Sequence, residues 1–504
     1  MLQPRTHGDS RGLDQTLQSH FLQGRFGRLF RHLPPAEFGE KAEKTLKNLA
    51  EIMVSSSEPK EGPIPAGYTY LGQFIDHDLT FDPVSSLQRD NDPASIVDYR
   101  TPRFDLDCVY GRGPADNPYF YRDDGIQMRL GRRLTNGPKG LGYDVPRAGE
   151  ADPLRRSADD SEKALIGDPR NDENVIIAQL HALFLQFHNR MVHKLQKKTG
   201  VAPTFAEVQR EVRWHYQWVI LYDFLPRVIR ADIYQKVLPH VAIETEEKLQ
   251  PPLIPESTLV QNAPVLKFYE PEEEAYMPVE FSGAAYRFGH SMVRDEYLLN
   301  TNQDLGIGGP LAILCNGDTN LRGFRSFRPQ WGIEWGYFFE GFDVEPPPQQ
   351  RPLLAGPPQR AFAIDTSLAK PLRTLPFPSA ADIDSLAARN LLRGWRLGLP
   401  SGQTLAHALG ENELTEDELR VGGKKLSSIS HAFRDNAPLW YYILAEASQS
   451  KHGTLGPVGS RIVMETFVGL MLEDGHSFLR EHPKWKPIAR PFGMTQFIKF
   501  AQNQ

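Results

Sequence analysis

The sequence has few of the features that tie a chain to a membrane, a nucleic acid or an oxidising compartment. Only two cysteines, Cys108 and Cys315, occur in 504 residues, too few for a disulfide framework or a Cys-x-x-Cys metal site. No apolar run approaches the roughly 20 residues that a membrane-spanning helix needs. Lysines and arginines form no block and the net charge is −6, so no nucleic-acid surface is predicted.

A secretory leader is also missing from the pattern. Residues 1–35 contain no apolar core segment of the kind that a signal peptide requires. Together with the lack of a membrane segment, this predicts a soluble, cytoplasmic protein, although leaderless export leaves no trace in a sequence. Hydrophobic residues make up 40% of the chain, enough to bury a large core.

Composition divides the chain into an extension and one large domain. Residues 1–60 are mostly polar and end in SSSEPKEGPIPAG, which is typical of a linker or loop. Residues 61–504 are predicted to form a single, mainly α-helical domain with long loops and little β-structure. The Pro-rich stretch 344–360, VEPPPQQRPLLAGPPQR, is expected to be an inserted surface loop.

The strongest helical pattern is NDENVIIAQLHALFLQFHNRMVHKLQKKTG. Its apolar residues recur at helical spacing. Asn171 or Asp172 is expected to cap its start, and Gly200 to end it.

A second helix is predicted from Thr204, where Thr204 and Glu207 have the spacing of a capping box. We expect it to stop before Pro226. Further helical patterns cover residues 383–398, 431–449 and 457–473.

Four short polar stretches interrupt the apolar pattern: GQFIDHDL, GDPRNDEN, YRFGH and NLLRGWRLGLP. Each has an ordinary structural explanation when taken alone, such as a helix end, a group of acids favoured by a helix dipole, a packed histidine or a polar helix face. The residues of interest are Gln73, Asp76, His77, Asp78, Arg170, Glu173, Arg287, His290, Asn390 and Arg393.

In combination, the four stretches resemble the peroxidase–cyclooxygenase superfamily, and in particular the animal-type haem peroxidases of the myeloperoxidase and lactoperoxidase type. GQFIDHDL is similar to the distal motif of that family and GDPRNDE to its catalytic-arginine motif. YRFGH is similar to the proximal-histidine motif, and NLLRGWRLGLP to the segment that supports the proximal ligand. The resemblance covers residues 65–475, and the lack of a leader fits a bacterial-type member.

The resemblance implies a haem b cofactor with one histidine on each face. His290 is expected to bind the iron, and Asn390 to accept a hydrogen bond from the other ring nitrogen of His290. His77 is expected to take a proton from hydrogen peroxide and return it to the departing oxygen, which leaves water and a ferryl haem. Arg170 would stabilise negative charge as the O–O bond breaks, and Gln73 would hold a distal water or a halide.

The resemblance also assigns the remaining polar residues to the haem. The carboxylates of Asp76 and Glu173 occupy the positions that form ester bonds to haem methyl groups in this family. Arg287 and Arg393 are expected to pair with the haem propionates.

A calcium site is implied next to the distal histidine. RTPRFDLDCVYG resembles the calcium loop of the family, which supplies hard oxygen ligands at alternating positions. The expected ligands are Asp78, Thr101, the Arg103 carbonyl, Asp105 and Asp107. A hydroxyl residue is usual at the position of Asp107, so this site is expected to be more acidic. The alternative is an ordinary solvated turn.

These roles predict an oxidoreductase that reduces hydrogen peroxide and oxidises a small donor. In myeloperoxidase-like members a methionine follows the ester glutamate and forms a sulfonium link to haem, whereas here the residue is Asn174. We therefore expect a lower haem potential than that of a chloride-oxidising enzyme. Iodide, thiocyanate, bromide and small phenols are the expected donors.

Three alternatives stay open at this point. A haem fatty-acid dioxygenase or cyclooxygenase carries a radical tyrosine three residues before the proximal histidine, where this chain has Arg287 beside Tyr286. A catalytically silent haem-binding relative needs none of the distal residues. A non-haem metal hydrolase could use His181 and His188 on one helix face, but no acidic HExxH-like partner accompanies them.

Overall fold

Helices carry most of the regular structure, and they form where apolar side chains recur every three to four residues. The computed structural model describes residues 24–55, 59–81, 97–135, 142–148, 162–239, 263–271, 274–300, 311–313, 320–344, 356–375 and 383–503. In these ranges no helix combines the length and apolarity that crossing a bilayer takes. The α-helices are α1 (Ala42–Ser55), α2 (Gly67–Leu79), α3 (Asp107–Tyr110), α4 (Val175–Thr199), α5 (Phe205–Val219), α6 (Leu225–Val228), α7 (Ala231–Val237), α8 (Val279–Gly283), α9 (Leu386–Arg396), α10 (Gly402–Leu409), α11 (Leu439–Ala447), α12 (Pro457–Glu473), α13 (Phe478–Glu481) and α14 (Met494–Gln502).

The strands are short and peripheral, which confirms the predicted mainly α fold. They are β1 (Gly24–Gly27), β2 (Glu61–Pro65), β3 (Val97–Asp98), β4 (Arg133–Leu134), β5 (Gly142–Tyr143), β6 (Met277–Pro278), β7 (Glu296–Tyr297), β8 (Leu311–Ala312), β9 (Arg360–Phe362), β10 (Arg420–Val421) and β11 (Lys424–Lys425). β1 is the centre of a three-stranded sheet, antiparallel to β3 and parallel to β6. The other strands form two-stranded pairs, β2 with β9, β4 with β5, β7 with β8, and β10 with β11.

The centre of the core is an aromatic stack between α2, α4, α5 and α14. Phe74 of α2 stacks on Phe184 of α4 with ring centroids 4.3 Å apart, and Tyr216 of α5 meets both rings edge-on. Phe187, one turn further along α4, stacks on Phe497 of α14 at 4.0 Å. Truncating one such ring to alanine typically costs about 3–5 kcal/mol, so this stack fixes α2 against α4.

Helices α4 and α5 largely follow the prediction, with two corrections at their ends. Gly200 ends α4 in the left-handed region at φ 76°, and Thr204 and Glu207 form the capping box of α5. The α4 cap, however, is Asn174 and not Asn171 or Asp172, because Pro169–Asp172 forms a 3₁₀ turn of its own.

The segment after α5 passes Pro226 instead of stopping before it. A π-helical turn, Ile220–Phe224, joins α5 to α6, which carries Pro226 in its first turn. A proline in a first helical turn has no intrahelical N–H bond to lose.

The C-terminal helical patterns are only partly regular. The 457–473 prediction matches α12, whereas 383–398 shortens to α9 and 431–449 contains a 3₁₀ turn, His431–Phe433, before α11.

Part of the predicted N-terminal extension belongs to the core. The apolar side of α1, including Leu46 and Leu49, is fully buried, and α1 packs on α9. The backbone N–H groups of Leu29 and Phe30 donate to the buried carboxylate of Glu280 on α8. Residues 24–55 are therefore not a separate polar appendage. Of the Pro-rich insertion, residues 345–355 lie outside the described part of the chain.

Candidate active site

Four of the predicted site residues, Gln73, Asp76, His77 and Asp78, come from the last two turns of α2. At its first residue, Gly67, a Cβ atom would lie 2.4 Å from the ring of Phe339, so glycine lets the helix start against the core. The helix then buries His77 and Asp78, while Gln73 and Asp76 are half-buried. The three acidic and basic side chains that end α2 therefore lie inside the protein, where their charges need partners.

His77 is held at one ring nitrogen. Its Nδ1 lies 2.8 Å from Oδ1 of Asn171, and its Nε2 makes no hydrogen bond within the described part of the chain. Burial lowers the pKa of His77, and the nearby Arg170 cation lowers it further. A neutral imidazole with its Nε2 unengaged can accept a proton.

Arg170 is a fixed cation beside that imidazole. The 3₁₀ turn Pro169–Asp172 presents it, and Nη2 donates to the backbone carbonyls of His77 at 3.1 Å and Thr80 at 2.5 Å. The guanidinium lies 4.6 Å from the ring centre of Phe81. Nη1 has no hydrogen-bond partner among the described residues, so it is the group that can meet an anionic oxygen.

The anchor of Arg170 is Asp168. This carboxylate is fully buried and accepts from Arg170 Nη2 at 2.8 Å and from Arg100 Nη2 at 2.6 Å. The two guanidinium groups outweigh burial and hold the pKa of Asp168 well below its usual range. Arg100 also pairs with Asp107 at 3.4 Å, so alternating charges connect the distal arginine to an acidic cluster.

That cluster consists of Asp78, Asp105 and Asp107. One carboxylate oxygen from each lies within 4.8 Å of the others, and Asp78 Oδ1 and Asp107 Oδ1 are buried with no hydrogen-bond partner. Burial and the neighbouring acids raise the pKa of Asp78, and burial raises that of Asp107 to about 7. Three converging carboxylates with orphaned oxygens fit a hard divalent cation.

The remaining predicted calcium ligands lie on the same loop. Thr101 donates through Oγ1 to Asp105 at 2.7 Å, and the Arg103 N–H donates to the Thr101 carbonyl. Leu106 adopts the left-handed region at φ 59° and donates its N–H to Asp78. A non-glycine residue there is strained, which shows how tightly the loop is drawn onto α2.

The two carboxylates assigned to haem esters lie close enough to His77 to raise its pKa, against the larger effects of burial and Arg170. Asp76 Oδ1 accepts from Thr80 Oγ1 at 3.1 Å. Glu173 Oε2 accepts from Gln73 Nε2 at 3.2 Å, and the expected role of Gln73 at a water or halide stays a prediction.

The backbone around Glu173 is fixed by Gly323. The Gly323 N–H donates to the Glu173 carbonyl at 2.7 Å and the Phe324 N–H to the Asp172 carbonyl at 2.8 Å. A Cβ at Gly323 would lie 1.7 Å from the Asp172 oxygen, so only glycine permits this close approach.

The proximal pair predicted from sequence is present. His290 ends the 3₁₀ turn Ala285–His290, and its Nδ1 lies 2.7 Å from Nδ2 of the fully buried Asn390 on α9. Oδ1 of Asn390 accepts from Arg287 Nη1 at 2.8 Å, and Arg287 Nε donates to the Ser282 carbonyl.

The direction of the hydrogen bond at His290 depends on which ring nitrogen carries the proton, so the role of Asn390 as acceptor stays a prediction. Because Arg287 occupies the amide oxygen of Asn390, the amide nitrogen faces the ring, whereas the prediction made Asn390 the acceptor. Metal binding at Nε2 requires the proton on Nδ1, and a 180° turn of the amide then restores the predicted direction. Two nitrogens of Arg287 are used within the protein, and Arg393 is half-buried on α9.

The histidines of the hydrolase alternative do not form a metal pair. His181 Nδ1 contacts Asn171 at 3.1 Å, while His188 contacts the Tyr110 hydroxyl and the Ile126 carbonyl. Over the described ranges, the acidic cluster is the single place where three or more potential metal ligands converge.

Sequence reasoning missed Asp168, Arg100, Asn171 and the role of His181. Asp168 could have been found, because an aspartate before Pro169 has the pattern of a cap and the Asp168 side chain does accept from the Arg170 N–H. Arg100 and Asp168 are 68 residues apart in sequence, too far to be paired by pattern.

Comparison with known proteins identifies the family of the chain. The family model described as animal haem peroxidase matches residues 83–487. The chain belongs to the animal haem peroxidase family. The match begins a few residues after His77, so the distal helix is assigned by its geometry and motif.

The curated relatives are distant and much longer. A peroxidase-like protein of Margaritifera margaritifera is 26% identical over 48% of this chain and 32% of its own length. Peroxidasin of Drosophila melanogaster is 24% identical over 80% of this chain and 24% of its own length. The chain thus corresponds to about a quarter to a third of each relative.

Solved structures of a peroxidase and of fatty acid alpha-dioxygenases share the fold. Peroxidase A from Dictyostelium discoideum has a TM-score of 0.62 at 16% identity, covering 95% of this chain and 94% of that one. A fatty acid alpha-dioxygenase from Arabidopsis thaliana has a TM-score of 0.56 at 12% identity, covering 94% and 75%. At these identities the likeness shows the fold alone.

The haem that the family implies fits the residues present. His77 and His290 each have Nδ1 held by an asparagine, the arrangement that directs Nε2 of a histidine toward a ligand. The guanidinium of Arg170 donates through Nη2 to the His77 carbonyl, and its Nη1 has no hydrogen-bond partner among the described residues. A neutral base, a fixed cation and a second supported imidazole are the set that haem peroxide chemistry uses.

Proposed function

We propose that this protein is a haem peroxidase that reduces hydrogen peroxide to water while oxidising a small donor. The observation that carries the proposal is the pairing of His77 with Arg170. His77 has an unengaged Nε2 and is held at Nδ1 by Asn171. Arg170 has an unengaged Nη1 and is held through Nη2 by Asp168 and two backbone carbonyls. A protein that only stored haem would gain nothing from a buried cation next to a neutral base.

The distal residues handle the protons and the developing charge. Bound haem b, held by His290, supplies the redox chemistry of a two-electron peroxide reduction. His77 Nε2 takes the proton from the peroxide oxygen nearer the metal and delivers it to the far oxygen, which leaves as water. Arg170 Nη1 stabilises the negative charge that this oxygen develops. Two further electrons and protons, with the electrons from the donor, complete the second water.

The donor is proposed to be iodide, thiocyanate, bromide or a small phenol. Asn174 stands where a methionine would form a sulfonium link, and its Oδ1 accepts from the N–H groups of Ile176 and Ile177 at the start of α4. This residue has no thioether to bond to haem. Chloride turnover at a rate like that of bromide would contradict this part of the proposal.

Calcium and the two ester bonds are proposed at the sites described above. Asp78, Asp105 and Asp107 offer the carboxylates of the calcium site, with Thr101 and the Arg103 carbonyl on the same loop. The orphaned oxygens and raised pKa values of Asp78 and Asp107 support a cation there.

Asp76 and Glu173 are proposed to form the esters, supported by their position beside His77, whose pKa both carboxylates influence. Arg393, and Arg287 if its bonds rearrange, are proposed to pair with the propionates.

The test uses protein expressed with haem available. A Soret band that shifts on one equivalent of hydrogen peroxide and returns on adding iodide or a phenol is expected. His77→Gln should keep the Soret band and lose the peroxide response, because a glutamine amide is not basic. His290→Gln should lose most of the haem. If the Soret band of wild type does not change on adding peroxide, the protein binds haem but is not a peroxidase, and the proposal is wrong.

The same haem-containing protein can be used to distinguish the proposed peroxidase from a fatty-acid dioxygenase. The position of the radical tyrosine is occupied by Arg287, and the adjacent Tyr286 is tied through its hydroxyl to the Gly72 carbonyl of α2 at 3.2 Å. We therefore expect no oxygen uptake with palmitate. Oxygen uptake that requires Tyr286 would favour a fatty-acid oxygenase.

A further inference from the structure

Three side chains, His77, Asn171 and His181, are joined by hydrogen bonds in a row that is called the relay below. Asn171 is fully buried between two imidazoles, with Oδ1 2.8 Å from His77 Nδ1 and Nδ2 3.1 Å from His181 Nδ1. The 3₁₀ turn that carries Arg170 also carries Asn171, whose N–H donates to the Asp168 carbonyl. The relay therefore joins α2 to α4 through the turn that presents the distal arginine.

The amide of Asn171 has one acceptor end and one donor end, and this fixes a direction. Its oxygen faces His77 Nδ1, which must then carry the proton, so the lone pair of His77 is on Nε2. Its nitrogen faces His181 Nδ1, which must then be the acceptor. The proton of His181 is consequently on Nε2, which is buried and has no hydrogen-bond partner.

The reverse direction would disable the base. With the amide turned, its nitrogen would donate to His77 Nδ1 and the His77 proton would move to Nε2, where it blocks acceptance of a proton from peroxide. Burial lowers the pKa of His181 to about 3, so the ring stays neutral and has one protonated nitrogen. With the amide turned, the His181 proton would have to move from Nε2 to Nδ1 to face the amide oxygen, so the turn requires both histidines to change tautomer.

We propose that Asn171 and His181 are positioning residues that hold His77 in the tautomer whose Nε2 accepts the peroxide proton. Asn171 sets the tautomer directly, and His181 sets the orientation of Asn171. This inference rests on the proposed peroxidase function, because it assigns His77 a proton to accept.

The kinetic test compares variants at equal haem content. Asn171→Leu should lower the second-order rate constant for the peroxide-induced Soret change at least tenfold, while Asn171→Asp, which still accepts from Nδ1–H, should recover most of it. The rate constant of His181→Phe should lie between those of Asn171→Leu and Asn171→Asp. The step in which donor is oxidised should change little in all three, since the relay acts on peroxide alone.

His188→Phe is the matched control. It removes another fully buried histidine from α4, one with no contact to the relay. A general loss of packing would lower the thermal midpoint of the His181 and His188 variants alike and leave their rate constants per haem unchanged. That result would overturn the inference, as would Asn171→Leu and His181→Phe both reacting like wild type.

The tautomer of His77 can also be measured without turnover, from ¹⁵N NMR spectra of histidine-labelled protein with and without haem. His77, assigned by comparison with His77→Gln, should show a protonated Nδ1 and an unprotonated Nε2 in wild type, and a mixture of tautomers in His181→Phe. A His77 protonated on Nε2 in wild type would refute the inference. Wild-type protein with the expected tautomer but no peroxide reaction would refute the proposed function and leave the relay intact.

Discussion

Replacing Asp168 by asparagine tests whether the alternating charges behind the distal site hold it together. The carboxylate is fully buried and accepts from two guanidinium groups at 2.6 and 2.8 Å, each with about one tenth of its side chain exposed. Asp168→Asn keeps the shape and leaves Arg170 and Arg100 buried without their shared anion. Removing one partner of a buried ion pair costs about 3–5 kcal/mol, and because the amide can still accept one bond we expect about 3 kcal/mol.

The assay is chemical denaturation followed by tryptophan fluorescence, with the free energy of unfolding compared between variants. Asp123→Asn is the control, since the Asp123 side chain is fully exposed and its pair with Arg129 is a surface one, so a change within about 0.5 kcal/mol is expected. Asp168→Asn should also slow the reaction with peroxide, because Arg170 loses the carboxylate that anchors it. If Asp168→Asn is no more destabilising than Asp123→Asn, the reasoning about the buried charges is wrong.

The pKa of Asp168 adds a pH dependence to the same prediction. Because the folded state holds this pKa well below the unfolded value of about 3.9, the carboxylate contributes stability that is fully present above that value. The contribution is lost as the pH falls below about 4, where the unfolded chain binds the proton and the folded protein does not. The difference in free energy of unfolding between wild type and Asp168→Asn should therefore shrink as the pH falls from 4 to 3.

Three further changes have expected outcomes. Burial raises the pKa of Glu446 to about 8, so the free energy of unfolding should fall as the pH rises from about 5 to 8, and denaturation of Glu446→Gln should show a shallower fall. Gly323→Ala should cost more than about 3 kcal/mol in the same assay, because its Cβ meets the Asp172 carbonyl, whereas Gly475→Ala, with open space around its Cβ, should cost less than about 1. A calcium chelator should lower the thermal midpoint of wild type but leave Asp78→Asn nearly unchanged; equal shifts in both would argue against calcium at the cluster.

Sequence patterns predicted the elements whose signals are local. The capping box of α5, the left-handed Gly200 and the bounds of α12 depend on neighbouring residues, and the structure contains all three. Helix α1 was missed although its signal is present, since Leu46, Leu49 and other apolar residues recur at helical spacing in a segment judged by its polar composition.

The site was predictable as a set of side chains but not as a network. His77, Arg170, His290 and Asn390 follow from short motifs, and the structure pairs His290 with Asn390. The partner of Arg170, by contrast, is a carboxylate shared with Arg100, 70 residues earlier in the chain, and only the packing of the loop determines that sharing. The direction of the Asn390 amide likewise depends on the position of Arg287 in three dimensions.

Three consecutive residues of α2 contact three different parts of the structure. Successive side chains on an α-helix point about 100° apart, so Asp76 is directed to Thr80, His77 to Asn171, and Asp78 to the loop at Leu106. Substitution changes one of these contacts at a time, whereas inserting a single residue in α2 before Asp76 turns all three side chains by about 100° and moves each to the next helical position. A single insertion or deletion in this turn should therefore disrupt all three contacts at once, whereas each substitution removes one of them.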